Sequence, residues 1–193
     1  MGAIHLLRHG QSVWQDARAG DLDSALTPLG HRQAAAAAQG LARLLPSREG
    51  LRLVASPLQR ARQTAAPVAA ALRVDEDVWP ALAEAAFRVS DHLPSRTTPD
   101  DPLPPASGCY LAFRTRAAGV LDRLHAAAAG EGDVVAVTHG GMIRTLLCVA
   151  ARSDALCFAV PNGTITTLEW RDGRWHVARL ASCAPLGRVP RGS

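Results

Sequence analysis

Two strand-like runs in this sequence end in the same way. Residues 4–7, Ile-His-Leu-Leu, give way to Arg8-His9-Gly10, and residues 133–138, Asp-Val-Val-Ala-Val-Thr, give way to His139-Gly140-Gly141. An imidazole beside a guanidinium can hold an oxyanion and attack it, and glycines let backbone approach a ligand closely. A third junction, Ser56-Pro57-Leu58-Gln59-Arg60, opens a helix and delivers another guanidinium in its first turn, near the positive end of the helix dipole. Two arginines, two histidines and the N–H groups of Gly140 and Gly141, brought to one edge, make a pocket for a dianion. The ligand this chemistry selects is a phosphoryl group. For Arg8-His9 taken alone a plainer reading stays open, a solvated arginine next to a capping histidine.

Such convergence needs a particular scaffold. Residues 4–7 are a short apolar run bounded by glycines, as in a buried strand of a parallel sheet. Ligands of open α/β sheets bind beyond the carboxyl ends of the strands, where Arg8 and His9 stand. After a loop over residues 16–26, Thr27 and Pro28 are N-cap and first-turn signals for a helix to about residue 45. Leu29, Gln33, Ala36, Gly40 and Leu44 are its expected sheet-facing stripe. A second strand is expected over 51–55, then a helix capped by Ser56 and running to about residue 72, with Arg62 pointing away from Arg60. Residues 74–79 suggest a third strand, weakened by Asp75, Glu76 and Asp77.

Residues 80–107 are different. Pro94, Pro99, Pro102, Pro104 and Pro105 make the stretch too proline-rich for a core element, so it reads as an insertion or lid over the edge of the sheet. A long helix over 107–129 follows, with Tyr110, Phe113, Ala117, Val120, Leu121 and Leu124 facing inward, and a helix over 142–150 follows the strand at 133–138. Residues 165–170 and 175–180 flank Asp172-Gly173, which suits a type I′ turn and an edge hairpin. The alternation predicts a three-layer α/β/α sandwich with a mostly parallel central sheet and a C-terminal edge hairpin. One domain over residues 1–186 is expected. The tail 187–193, Gly-Arg-Val-Pro-Arg-Gly-Ser, resembles a protease-site remnant and is set aside.

Composition narrows the function. All 21 basic residues are Arg, which removes Schiff-base, P-loop and pyridoxal lysine chemistry. The net charge is +4, but the arginines are scattered and aromatics make up only 4% of the chain, unlike a nucleic-acid face. The excess reads either as mild attraction for anionic small molecules or as a solvated surface. The cysteines at 109, 148, 157 and 183 have no C-x-x-C spacing and suit buried thiols in a reducing compartment. With no signal-peptide pattern and no long apolar run, a soluble cytoplasmic protein is expected, without membrane or nucleic-acid partners.

An ordered set of motifs spans most of the chain. It comprises Leu-Leu-Arg-His-Gly-Gln-Ser at 6–12, Leu-Thr-Pro-Leu-Gly-His-Arg-Gln-Ala at 26–34 and Ala-Ser-Pro-Leu-Gln-Arg-Ala-Arg-Gln-Thr-Ala at 55–65. Val-Thr-His-Gly-Gly-Met-Ile-Arg at 137–144 and Pro-Asn-Gly-Thr-Ile at 161–165 complete it. Together these resemble the histidine phosphatase superfamily, the phosphoglycerate-mutase-like group. The resemblance implies that His9 is a nucleophile forming a phosphohistidine, that its second ring nitrogen donates to the Gly10 carbonyl, and that Arg8, Arg60 and His139 clamp the phosphoryl oxygens. His139 should then be cationic when it holds phosphate, and the two imidazoles, each with an ordinary pKa of about 6.5, should be pushed apart.

The same resemblance places Glu84, in Leu-Ala-Glu-Ala-Ala-Phe-Arg at 82–88, at the family's general-acid position, with Asp91 in reserve and an ordinary surface glutamate as the plain alternative. The Phe-Gly and Trp-Glu-Gly steps that follow this position in the family are absent. Gln11 stands where the family often has Glu. Gln15 replaces an Asn that commonly contacts phosphate, and its amide could reach similarly on a longer arm. Trp14 lines the substrate mouth or packs in the core, and Arg88 and His92 could touch substrate from the lid. His5, His31, His125 and His176 read as structural or exposed.

The resemblance implies a phosphomonoesterase that needs no metal or other cofactor, takes a small phosphorylated metabolite and releases inorganic phosphate. The short insertion favours hydrolysis over a mutase reaction, which must shield its phosphohistidine from water. A low-turnover phosphate- or phosphoprotein-binding module is the alternative from another class, and the retained His9 argues against it. Substrate identity stays open, and the edge hairpin could pair in a homodimer.

Overall fold

The computed structural model describes residues 2–17, 23–130 and 132–183, without the side chains of residues 16 and 17. Part of the expected 16–26 loop and the whole 187–193 tail lie outside the described residues. The elements in chain order are β1 (Ile4–Arg8), α1 (Val13–Ala17), α2 (Pro28–Leu44), β2 (Arg52–Ala55), α3 (Gln59–Leu72), β3 (Glu76–Val78), α4 (Gly108–Ala129), β4 (Val134–Thr138), α5 (Gly140–Ala150), β5 (Ile165–Arg171) and β6 (Arg174–Ser182). Single 3-10 turns occur at Pro80–Leu82 and Val89–Asp91. None of the described helices is long and apolar enough to cross a membrane.

Six strands form one sheet in the order β3-β2-β4-β1-β5-β6. β1 through β4 run parallel to one another, and β5 and β6 are antiparallel. Parallel strands covered on both faces must be apolar on both faces, and the alternation of side chains divides them between two cores. Ile4, Leu6, Val54, Val134 and Ala136 pack under α4 and α5, while Leu7, Leu53, Ala55, Val135 and Val137 pack under α2 and α3. The result is the expected mixed α/β arrangement with helices on both faces. The hairpin closes as expected, with Asp172 at φ 53° and Gly173 at φ 72°, the two left-handed positions of a type I′ turn.

Three local expectations are corrected. Helix α2 buries Gly30, Ala34, Ala37, Ala38 and Leu41 instead of the stripe through Leu29, Gln33, Ala36, Gly40 and Leu44. Gly30 sets this rotation, because a Cβ there would lie 2.0 Å from the Gln11 carbonyl oxygen, and one on Gly10 would lie 2.3 Å from the Gly30 oxygen. A run of alanines offers an apolar face at every rotation, so periodicity could not choose. Helix α3 begins at Gln59 with Leu58 at the N-cap and no side-chain cap; the Ser56 hydroxyl accepts from the Leu58 N–H (3.3 Å), one residue ahead of the helix, and also meets His139.

The third correction concerns residues 80–107. The first half of this stretch is not excluded from the core. It crosses the carboxyl end of β4 and contributes Leu82 and Val89 to the core beside Tyr110 and Phe113. Thr138 Oγ1 donates to the Leu82 carbonyl (2.7 Å), and Arg116 of α4 donates to the carbonyls of Ala81 and Ala83 (2.8 and 2.7 Å). The proline-rich second half is mostly exposed, as anticipated.

Candidate active site

Strand register assembles the site. Arg8 lies opposite Thr138 in the β1–β4 ladder, and Ala55 lies opposite Val137 in the β2–β4 ladder. The next residues of three adjacent parallel strands, His9, His139 and Ser56, therefore emerge side by side at one edge. The two imidazole centroids are 5.0 Å apart, and His139 Nε2 is 2.7 Å from Ser56 Oγ.

His9 is almost fully buried, and its tautomer is set by its neighbours. Nδ1 donates to the Gly10 carbonyl at 2.6 Å, and Nε2 accepts from Arg60 Nε at 3.2 Å. A nitrogen that accepts from a guanidinium carries the ring's lone pair, so Nε2 is the ring atom able to act as a nucleophile. The chain around it is tightly held. The Gly10 N–H donates to Thr64 Oγ1 (3.1 Å), the Thr64 hydroxyl donates to the Arg60 carbonyl (2.7 Å), and Asn162 Nδ2 donates to the His9 carbonyl (2.9 Å). One arm of Arg8 donates to the Val160 carbonyl. Its Nε and His139 Nδ1 are buried polar atoms with no hydrogen-bond partner among the described residues. Gly140 leaves room for that guanidinium, since a Cβ there would lie 3.2 Å from Arg8 Nε and Cζ.

The electrostatics differ from expectation. Burial, then the charges of Arg60 and Arg8, hold His9 well below its ordinary 6.5, with the Gly10 carbonyl opposing. Burial, then His9, Arg60, Arg8 and Arg116, hold His139 well below it too. Both imidazoles are therefore shifted in the same direction, toward the neutral form, instead of apart; the expected cationic His139 belongs to the phosphate-bound site. Burial also lowers Arg8 and Arg60, and in each case the negative charge of Glu84 is the leading opposing influence. This carboxylate thus belongs to the same electrostatic cluster.

Glu84 is half-buried and sits on the first turn of α5. Its Oε2 accepts from the Gly141 N–H (3.0 Å) and its Oε1 from the Ala85 N–H (3.1 Å). The Gly141 N–H is thereby committed to Glu84, which corrects the expectation that it serves the dianion. Gln15 faces Asn162, accepting at Oε1 from Nδ2 (3.0 Å) and from the Ser12 N–H (3.2 Å). Trp14 on α1 is 42% exposed, which rules out core packing.

The structure does not draw the remaining candidates into the cluster. Arg88 is exposed and faces Asp91 at 4.0 Å, and Asp91 is itself exposed. His92 contacts Ser107, Cys109 and Phe87. Sequence reasoning gave no place in the site to Ser56, read only as a helix cap, nor to Thr64, Arg116 or Asn162. Asn162 stood in a quoted motif, but its role depends on a fold-back from β5 that no local pattern announces. Among the described residues no group of three or more His, Cys, Asp and Glu side chains is placed to hold a metal ion.

Residues 4–182 match the family model of the histidine phosphatase superfamily (branch 1). A search of curated proteins finds no match. Among solved structures, an open reading frame product of Mycobacterium tuberculosis superimposes with a TM-score of 0.72 at 23% identity, over 95% of this chain and 99% of that one. A mycobacterial glucosyl-3-phosphoglycerate phosphatase, solved with VO3, gives a TM-score of 0.66 at 25% identity over 93% and 98%. A phosphoserine phosphatase of Entamoeba histolytica, solved with 3-phosphoglyceric acid, gives 0.70 at 22% identity over 94% and 98%.

Proposed function

The chain belongs to the histidine phosphatase superfamily (branch 1), and from that premise we propose that it hydrolyses the phosphomonoester of a small metabolite through a phosphohistidine on His9. The observation that carries this reading is the His9 ring itself, whose Nδ1 is tied to the Gly10 carbonyl and whose Nε2 lone pair faces Arg60. A ring so fixed needs no proton loss before attack on phosphorus.

In this reading Nε2 attacks the phosphorus atom and the ester P–O bond breaks. Arg8, Arg60 and His139 take the phosphoryl oxygens, with Arg60 exchanging its contact with Nε2 for an oxygen. Phosphoryl transfer is catalysed mainly by positioning and by neutralising charge, and this cluster supplies both without a metal. The incoming dianion brings the negative charge that lets His139 accept a proton. Glu84 gives its proton to the departing oxygen, then removes one from the water that cleaves the N–P bond. The solved phosphatases of this fold, acting by name on glucosyl-3-phosphoglycerate and phosphoserine, support a small phosphorylated metabolite as substrate.

The test is release of inorganic phosphate from an aryl phosphate in the presence of a chelator. Turnover should persist with chelator and vanish in His9→Ala, and acid-labile phosphate should be trapped on the wild type alone. Undiminished turnover in His9→Ala removes the proposal.

A further inference from the structure

Away from this cluster, where the segment after β3 meets the start of α4, a thiol, an imidazole and a hydroxyl form a closed triangle. Cys109 Sγ is 3.2 Å from His92 Nδ1 and 3.3 Å from Ser107 Oγ, and His92 Nδ1 is 3.2 Å from that same hydroxyl. Cys109 is exposed and is the second residue of a 22-residue helix, where the helix dipole favours negative charge. The ring of His92 is seated by Phe87, whose centroid is 4.6 Å away at an edge-on angle. A nucleophile within hydrogen-bond reach of a base, with the base held by a third group, is the arrangement that activates a thiol.

We propose that Cys109 is a thiol–disulfide exchange site for low-molecular-weight disulfides, with His92 as its proton acceptor. In this step His92 Nδ1 takes the thiol proton and Ser107 Oγ–H donates to the resulting thiolate. The thiolate attacks one sulfur of the disulfide, a new S–S bond forms at Cys109, and the old one breaks. The departing thiolate takes up the proton held by His92 and leaves as a free thiol. The Cys109 sulfur rises from thiol to disulfide level as the departing sulfur falls from disulfide to thiol level, so the exchange is balanced and no other oxidant is needed.

The chain carries its own controls. Cys157 and Cys183 are also exposed, and neither makes a hydrogen bond to a histidine among the described residues. The experiment treats the intact protein with glutathione disulfide and follows mixed-disulfide formation at each cysteine by peptide mass spectrometry. Cys109 should be modified at least about tenfold faster than Cys157 and Cys183, and dithiothreitol should reverse the adduct. His92→Phe should bring Cys109 down to the level of the other two, while their rates, read in the same digest, report an intact fold. Equal rates at the three cysteines of the wild type overturn the proposal, and so does an unchanged Cys109 rate in His92→Phe. Because the readout is adduct formation, it is independent of phosphatase activity.

Discussion

Replacing Gly141 with alanine isolates the proton-donor role assigned to Glu84. A Cβ at that position would lie 2.4 Å from Glu84 Oε1 and 2.7 Å from Val89 Cγ2, where ordinary contact begins at 3.4 Å. Val89, in the core, must give by about 0.7 Å, and the more exposed carboxylate by about 1 Å, away from the N–H that now holds it at 3.0 Å. A misplacement of about 1 Å costs about 100-fold in rate when the group takes part in the transition state. Gly141 does not have a positive φ, and alanine is the better helix former by roughly 0.5–1 kcal/mol, so the fold should persist. The assay compares kcat/KM for an aryl phosphate, whose leaving group departs as an anion, with that for an alkyl phosphate, whose oxygen must be protonated. The loss should approach 100-fold for the alkyl ester and stay within a few-fold for the aryl ester. An equal loss on both, or none on either, with an unchanged thermal midpoint, refutes the assignment of Glu84.

Other outcomes follow from the same contacts. His5, His9 and His139 are all held below 6.5, chiefly by burial, so the unfolded chain binds more protons than the folded one as pH falls through that value. Stability should be fully present above about pH 6.5 and decline below it, by up to roughly 1.4 kcal/mol per pH unit for each group. A urea midpoint that is flat from pH 7 to pH 5 contradicts this. Asn162→Ala removes the donor to the His9 carbonyl and should cost about 1–3 kcal/mol in chemical denaturation, with a fall in kcat; unchanged values for both would show that the contact does nothing. Ser56→Ala leaves His139 with neither ring nitrogen bonded inside the protein, because Nδ1 already lacks a partner among the described residues. A destabilisation of about 1–3 kcal/mol is expected from the thermal midpoint, together with weaker inhibition by inorganic phosphate, and a variant with wild-type phosphate affinity tells against His139 as a ligand.

Much of this was legible because strand ends are local. The apolar runs before Arg8 and before His139 have nowhere to go but a buried parallel sheet, and their polar successors must then share its carboxyl edge. The inward face of α4 was equally plain, since its aromatic and branched residues contrast with the polar ones between them. What stayed hidden depended on contacts between distant segments. The seam of α2 is decided by the Gly10–Gly30 backbone approach, not by its alanines. Ser56 looked only like a cap because Ser-Pro usually is one, yet besides accepting from the Leu58 N–H it is brought by the register of β2 against β4 to His139. Leu82 and Val89 were passed over because the prolines further along drew the whole stretch into a single lid.

β1 comes first among the six strands in sequence, yet it is completed by β4 on one side and β5 on the other, which begin at residues 134 and 165. A polypeptide leaving the ribosome amino end first therefore carries Arg8 and His9 for most of its synthesis with no neighbouring strand to order them. Closing so long a loop before any ladder bond rewards it makes assembly of this edge slow and late. Chains released early should be inert, however well their first helices form, and catalytic competence should arrive all at once when β4 and β5 dock on β1.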